Sequence, residues 1–430
     1  MMSCCYFSIF LLKLEYMKRP ELLAPAGNLK KLKFALNYGA DAVYCGVPDF
    51  SLRVRINQFD MRSLKQGIEY AHSLKKKVYV TVNIFAHQKH LKKLESYILK
   101  LKQLKPDALI VSDPGVIVVI KKVWPKAEIH LSTQANCTNS EAVKFWAKQG
   151  VKRIILGREV TLKEIKEIHR AAPKVELECF VHGAMCMSYS GRCLLSKFFT
   201  NRSANLGDCT QPCRWEYKTF LQEVKRPDEL LQIEEDEHGS YIMNSKDLCL
   251  VEYLDELENV GICSFKIEGR AKSIYYLGTV VNSYRQGMYS KLKTRNSKLQ
   301  LKNELEKTQN RGFTSGFIFG KEKCEQLDNK SHETVDWEFC GEVLIDKERS
   351  SRESAFASTK KPVKVKIHNQ MFIGDQLEFV VKGEDCFPYK VKKMYNEDME
   401  ELKEAHGGQG VDVYLEVERE LLEMTLVRRK

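Results

Sequence analysis

Short apolar, β-branched runs alternate with amphipathic helical stretches through the first 280 positions of the chain. That alternation is the pattern of a parallel βα architecture, in which each strand is covered by the helix that follows it. Eight runs predict strands, at 21–23, 42–45, 77–82, 108–111, 128–131, 153–156, 175–181 and 264–267. Between the third and fourth, Leu91, Leu94, Ile98, Leu101 and Leu104 recur at helical spacing, so that stretch covers a sheet along one face. Eight units of this kind predict an α/β fold, a (β/α)8 TIM-like barrel, whose reactive face is built from the loops after the C-terminal ends of the strands. The residues that fall there include Gly27, Gly46, Asn83, Asp113, Gln134, Arg158, Glu159, His182, Gly183, Glu268 and Arg270. Polar groups straight after apolar runs suit a catalytic rim, although a Gly or Asp at such a place also simply ends a strand.

About eighty residues separate the seventh and eighth strands, too many for one connecting helix. A cysteine-rich insertion at 183–263 fills the gap, and its acidic stretch 234–239 reads as the solvated tip of a hairpin. Beyond 330 the helical patterns give way to strand-like ones at 363–367, 376–380 and 411–417, with turns at Gly374 and at Gly407 and Gly408. This predicts a small C-terminal β-barrel domain over 331–430, with 348–361 a mobile loop in it, after a barrel domain over 17–330. Residues 1–16 read as a start-site extension, because the apolar run from Tyr6 to Leu12 lacks the basic flank of a signal peptide and Met17 opens directly onto the first strand.

Composition narrows the class. A hydrophobic fraction of 43% with 29% charged residues is ordinary for a globular chain, and no stretch has the roughly 18–20 apolar residues that span a bilayer. The expectation is a soluble, cytoplasmic protein with no membrane partner. The formal net charge of +12 is unevenly spread. Residues 61–105 hold eleven Lys or Arg against Glu69 and Glu95, a net +9. Lys75, Lys76 and Lys92 in that stretch are candidate nucleic-acid contacts; solvated lysine faces give the same pattern.

Fourteen cysteines in a chain of this length without an export signal read as reduced thiols rather than disulfides. Cys45, Cys137, Cys179, Cys263 and Cys340 sit in or beside apolar runs and read as buried. Cys186, Cys193, Cys209 and Cys213 fall within 28 positions, interleaved with Gly183, Gly191, Gly207 and Pro212, and Cys249 follows. Thiolates at this density bind metal, either a structural zinc or an iron–sulfur cluster. The intervals of six, fifteen and three residues lack the paired Cys-x2-Cys knuckle of zinc ribbons, which leans toward iron–sulfur.

Glu178, Phe180, Gly183, Ala184, Met185, Cys186, Gly191, Cys193, Leu195 and Ser196 together resemble the signature of peptidase family U32, the collagenase-like peptidases. The stretches 21–27, 50–55, 132–136 and 311–317 are also similar to that family, so the resemblance covers 17 to about 320. Family members named as peptidases include proteins tied to oxygen-independent hydroxylation of tRNA, rRNA or ubiquinone precursors, and those members carry a four-cysteine [4Fe-4S] site. Carried over by position, the resemblance implies Cys186, Cys193 and Cys209 as ligands, with Cys249 as the fourth and Cys213 as its alternate.

The added β domain and the basic stretch point, within that resemblance, to the tRNA branch, where prephenate is implicated in converting wobble uridine to 5-hydroxyuridine. A dicarboxylate pocket is then required, and Arg158, Arg192 and Arg270 at the rim are candidates through their planar forks. His182, Glu178 and Glu268 are candidates for proton transfer or substrate orientation. Each of these side chains also suits a structural hydrogen bond or salt bridge. No motif identifies a redox partner. The competing reading is a peptidase, yet neither His-Glu-x-x-His nor Gly-x-Ser-x-Gly is present. A third is an RNA-binding scaffold with a structural zinc.

Overall fold

The structure is a computed structural model that describes residues 19–52, 58–186, 188–215, 219–222, 230–233, 245–289, 294–320, 332–345, 361–408 and 412–430. Residues 1–16, the acidic stretch 234–239, positions 53–55 and nearly all of the 348–361 loop lie outside the described residues. The chain divides into two compact units, one of residues 1–32, 40–271 and 311–332 and the other of 33–39, 272–310 and 333–430. No helix among the described residues is long and apolar enough to cross a membrane.

The first unit is a closed parallel barrel. Its strands are β1 (Glu21–Pro25), β2 (Ala42–Cys45), β3 (Lys77–Val82), β4 (Ala108–Val111), β5 (Ile129–Leu131), β6 (Arg153–Ile155), β7 (Glu176–Gly183) and a closing strand, Ile262–Ile267. Each pairs with the next in parallel, and the closing strand pairs with both β7 and β1, so no edge is left open. Predicted and observed strands agree within two residues at each end, because each strand is buried on both faces and so reads as an unbroken apolar run. Between β3 and β4 the helix Gln88–Leu104 buries Leu94, Tyr97, Ile98 and Leu101, much as the periodicity predicts.

β7 outruns β6. Past its pairing with β6 at Glu178, its last residues take the short strand Asp247–Cys249 in antiparallel register, with Leu248 opposite Gly183 and Cys249 opposite His182. Phe313–Thr314 then adds in parallel to Asp247–Cys249. The inserted segment is thereby hydrogen-bonded onto the rim.

The barrel interior is charged where most barrels are aliphatic. Arg153 on β6 reaches Glu21 at 2.6 Å, Glu176 at 2.9 Å and Glu178 at 3.3 Å, while Lys266 on the closing strand holds the other oxygen of Glu178 at 2.9 Å. Tyr79 donates to Glu21 at 2.7 Å and stands edge-on to His130, centroids 4.7 Å apart. Burial alone would raise the Glu178 carboxyl, but Lys266 and Arg153 outweigh it and hold the group below the usual carboxylate range.

The second unit contains a seven-stranded antiparallel sheet curled into a half-barrel, with Leu426–Arg429, Glu338–Val343 and Lys361–Ile367 central in its order. Cys340, Val365, Phe379, Val413, Leu415 and Val427 form its core. The helices Ile274–Tyr289 and Arg295–Glu306 belong to this unit, and the fully buried Arg428 pairs with Glu304 and Glu378, each at 2.5 Å.

Replacing Glu178 by Gln leaves two cations facing a neutral amide in the barrel lumen. The expected cost is about 3 kcal/mol or more, read as a lower urea midpoint for barrel unfolding. The folded carboxyl ionises below its unfolded value of about 4.3, so its stabilisation is complete above that pH and lost as pH falls through the folded pKa. The difference between wild type and Glu178→Gln should therefore shrink on acidification; a difference that stays constant to low pH would show that Glu178 is not ionised in the native barrel.

Candidate active site

The strand-end residues and the inserted segment line a cleft that opens to solvent at its mouth. Its floor comes from strand residues one step above the ion network. Thr81 stands two positions after Tyr79, Phe180 two after Glu178, and Lys266 beside them, all lining the cleft. Tyr44, Asn83 and Gln134 add hydroxyl and amide groups at the ends of β2, β3 and β5.

Arg158, Arg270 and Glu268 also line the cleft. The Arg158 guanidinium lies over the Phe180 ring, 3.9 Å from its centroid. Arg270 is nearly fully buried and donates to Ser51 Oγ at 2.9 Å and to the Leu52 carbonyl at 2.8 Å, so it also orders the segment after β2. Glu268 accepts from the Tyr44 hydroxyl at 3.2 Å. Burial pushes the Lys266 ammonium down, with Glu178 opposing. Three cations against one carboxylate make the cleft a place for an anion.

The other proposed residues fall elsewhere. Arg192 turns aside, its Nε donating to the Gln134 carbonyl at 2.9 Å and its guanidinium packing 5.3 Å from the Phe85 centroid. Glu178 sits in the lumen with both oxygens ion-paired, and His182 is buried beside Phe313, centroids 5.6 Å apart; neither is among the residues that line the cleft.

The cysteine segment is shaped by backbone that few residues tolerate. At the end of β7, Gly183 has φ +103°, and a Cβ there would stand 2.5 Å from the Glu268 carbonyl oxygen, so glycine is required. Ser190 takes φ 44° and Gly191 φ 81°. Glu159 pins this turn, accepting from the Ser190 N–H at 2.5 Å and its hydroxyl at 2.6 Å. The Cys193 N–H donates to Asn205 Oδ1 at 3.2 Å, and the Phe85 N–H to the Asn205 carbonyl at 3.2 Å, which ties the segment to the end of β3.

Cys186, Cys193, Cys209 and Cys213 all line the cleft; Cys249, on Asp247–Cys249 opposite His182, is not among the lining residues. Burial pushes the Cys213 thiol up, Arg214 opposes, and Cys186 and Cys209 push further in the same direction as burial. Among the described residues no three His, Cys, Asp or Glu groups converge closely enough to hold a single metal ion. Donors already point at two sulfurs: the Leu195 N–H at Cys193 Sγ, 3.4 Å, and at Cys209 Sγ the Gln211 N–H, 3.4 Å, and the Ser196 hydroxyl, 3.5 Å. Hydrogen bonds to ligating sulfur tune iron–sulfur centres, so this donor set fits a thiolate-held cluster. Of the cysteines read as core thiols, Cys45, Cys137, Cys179 and Cys340 are buried and Cys263 is half-buried.

The basic stretch is not one face. Lys75 and Lys76 precede β3 and lie at the opposite end of the barrel from the cleft, where Lys76 pairs with Asp41 at 2.9 Å. Lys92 lies in the first turns of Gln88–Leu104, exposed, on the cleft side. Sequence reasoning placed Glu159 at the rim without a role and passed over Lys266, whose signal was a lone charge inside the apolar run of the closing strand.

The model of Peptidase family U32 matches residues 27–328, and that of Peptidase family U32 C-terminal domain matches 336–428. The chain is 38% identical to tRNA hydroxylation protein P of Haemophilus influenzae over 444 residues, 94% of each chain. It is 38% identical to tRNA hydroxylation protein P of Escherichia coli over 442 residues, 94% of this chain and 95% of the relative. It is 32% identical to a protein named collagenase from Porphyromonas gingivalis over 315 residues, 70% of this chain and 74% of that one.

Glu159→Ala removes both acceptors of Ser190. Hydrogen–deuterium exchange should rise about tenfold or more across 188–193, in line with the loss of a charge-assisted bond, while exchange in β3 and β4 stays as in wild type. Unchanged exchange at 188–193 would mean that the turn is held by something else.

Proposed function

Because the chain belongs to peptidase family U32, we propose that it is an iron–sulfur-dependent tRNA modification enzyme, hydroxylating wobble uridine to 5-hydroxyuridine with prephenate as co-substrate. The observation that carries this reading is one cleft lined by four cysteines of the inserted segment and by Arg158, Lys266 and Arg270. The near full-length similarity to proteins named for tRNA hydroxylation supports the RNA substrate.

Cys186, Cys193 and Cys209 would hold a [4Fe-4S] cluster, with Cys213 or Cys249 completing the set. When bound, such a cluster supplies one-electron redox chemistry. The protein's own groups then do the positioning. Arg158, held over the Phe180 ring, presents its fork to a carboxylate, and Lys266 and Arg270 add positive charge from the floor. Glu268, hydrogen-bonded to Tyr44, stands where a proton could be taken up or released at the cleft wall. A peptidase of the Ser–His or Cys–His kind needs a histidine base beside its nucleophile, and no histidine is among the described residues lining this cleft.

Anaerobically purified protein should be brown with close to four irons per chain. Cys193→Ser should remove the colour and Cys45→Ser should leave it, and comparing Cys213→Ser with Cys249→Ser identifies the fourth ligand. Stoichiometric zinc without iron would point to the structural-zinc scaffold instead.

Deleting the gene should remove 5-hydroxyuridine from bulk tRNA by nucleoside mass spectrometry. Wild type should restore it, Cys186→Ser should not, and Arg158→Ala should keep the colour while lowering modification at least tenfold, the loss expected of one charge-assisted bond. An unchanged tRNA profile together with turnover of gelatin would establish the peptidase reading. In RNA binding at low salt, Lys92→Glu should weaken affinity and reduce the salt dependence, and Lys75→Glu at the far end should do neither.

A further inference from the structure

The inserted segment carries a second surface, facing outward, that the cleft chemistry leaves unused. Between Ser188 and Trp215 several large side chains are solvent-exposed, among them Phe198 at 81%, Phe199 at 44% and Trp215 at 40%. They form one cluster. Phe198 and Phe199 meet edge to face with centroids 5.1 Å apart, and Phe199 lies 5.9 Å from Trp215. Local geometry turns them outward. The helix Leu195–Thr200 is anchored by its buried Ser196, whose hydroxyl accepts the Thr210 N–H at 3.0 Å, and the following phenylalanines are left on the solvent side. Exposed apolar clusters of this kind mark contact surfaces.

The charge of the segment that carries the cluster points to the partner. Residues 188–215 hold Arg192, Lys197, Arg202 and Arg214 against a single acid, Asp208, which is four positive against one negative, or net +3. Asp208 is already engaged by Arg202 at 2.6 Å. Aromatic faces interleaved with cations are the chemistry that stacks unpaired bases and neutralises the phosphates between them. The same segment also walls the cleft through Cys209, Pro212 and Cys213, so Trp215 follows two positions after a cleft residue.

We propose that Phe198, Phe199 and Trp215 form a stacking platform for unpaired bases next to the target nucleotide, holding a single-stranded RNA loop while the unstacked target base enters the cleft. This rests on the RNA-modification reading and adds to it the site that selects a loop over a duplex, since paired bases have no free face to offer.

The test uses the full chain, with a labelled RNA stem–loop of unpaired uridines and a blunt RNA duplex of equal length as probes. Phe198→Ala with Phe199→Ala, and separately Trp215→Ala, should each weaken stem–loop binding about tenfold and leave duplex binding and the salt dependence unchanged. Trp215→Phe, which keeps a ring, should restore most of the affinity, and 5-iodouridine in the loop should photo-crosslink to this cluster. Stem–loop affinity unchanged in the alanine variants overturns the platform and leaves tRNA hydroxylation standing on its nucleoside assay. A wild-type chain that binds no stem–loop overturns both. Variants that keep RNA affinity but lose reduction by an electron-donor protein would make the cluster a protein-docking face, which also overturns the proposal.

Discussion

Arg153 reaching across the barrel lumen to Glu21, Glu176 and Glu178 is the constraint on which the first unit depends. β5 and β6 are only three residues long, and short strands fix register weakly through their own hydrogen bonds. An ion network that joins β1, β6, β7 and the closing strand admits one register, because a one-residue slip would turn each charge out of the lumen. Burying so much charge costs desolvation that the pairing only about offsets. The network therefore contributes specificity of arrangement more than net stability.

The cleft follows from that register. Side chains alternate along a strand, so a residue two positions beyond a lumen charge points the same way one layer higher. Tyr79 leads to Thr81, Arg153 to Ile155 and Glu178 to Phe180, and the upper member of each pair lines the cleft. Lys266 joins the two layers, bound below to Glu178 and open above to the cleft. Positive charge at the floor is thus held by the same interaction that sets the strands. The inserted segment supplies what the barrel does not: thiols with hydrogen bonds already aimed at sulfur, and outside them an aromatic, cationic face.

Much of this was legible in the chain. The eight strands were readable because burial on both faces leaves an apolar run with no alternation, and the helical stretches because only one face of each is buried. The thiol-rich segment was readable from spacing and its interleaved glycines. His182 was legible as a rim candidate and Glu178 as a proton-transfer candidate, but sequence proximity does not say which way a strand residue points or where the rim begins. β7 extends through Gly183, which keeps both residues below or beside the cleft.

Sequence alone determined the element order, the barrel class and the clustering of Cys186, Cys193, Cys209 and Cys213, since these depend on local periodicity and on spacing along the chain. Only the tertiary structure decided which charges share a space. It set Cys213 on the cleft wall and left Cys249 off it, and divided one basic stretch between opposite ends of the barrel. It also brought Glu159 to Ser190 and Lys266 to Glu178 across 31 and 88 positions. Contacts of that range depend on how strands close in space, and no local pattern of residues encodes them.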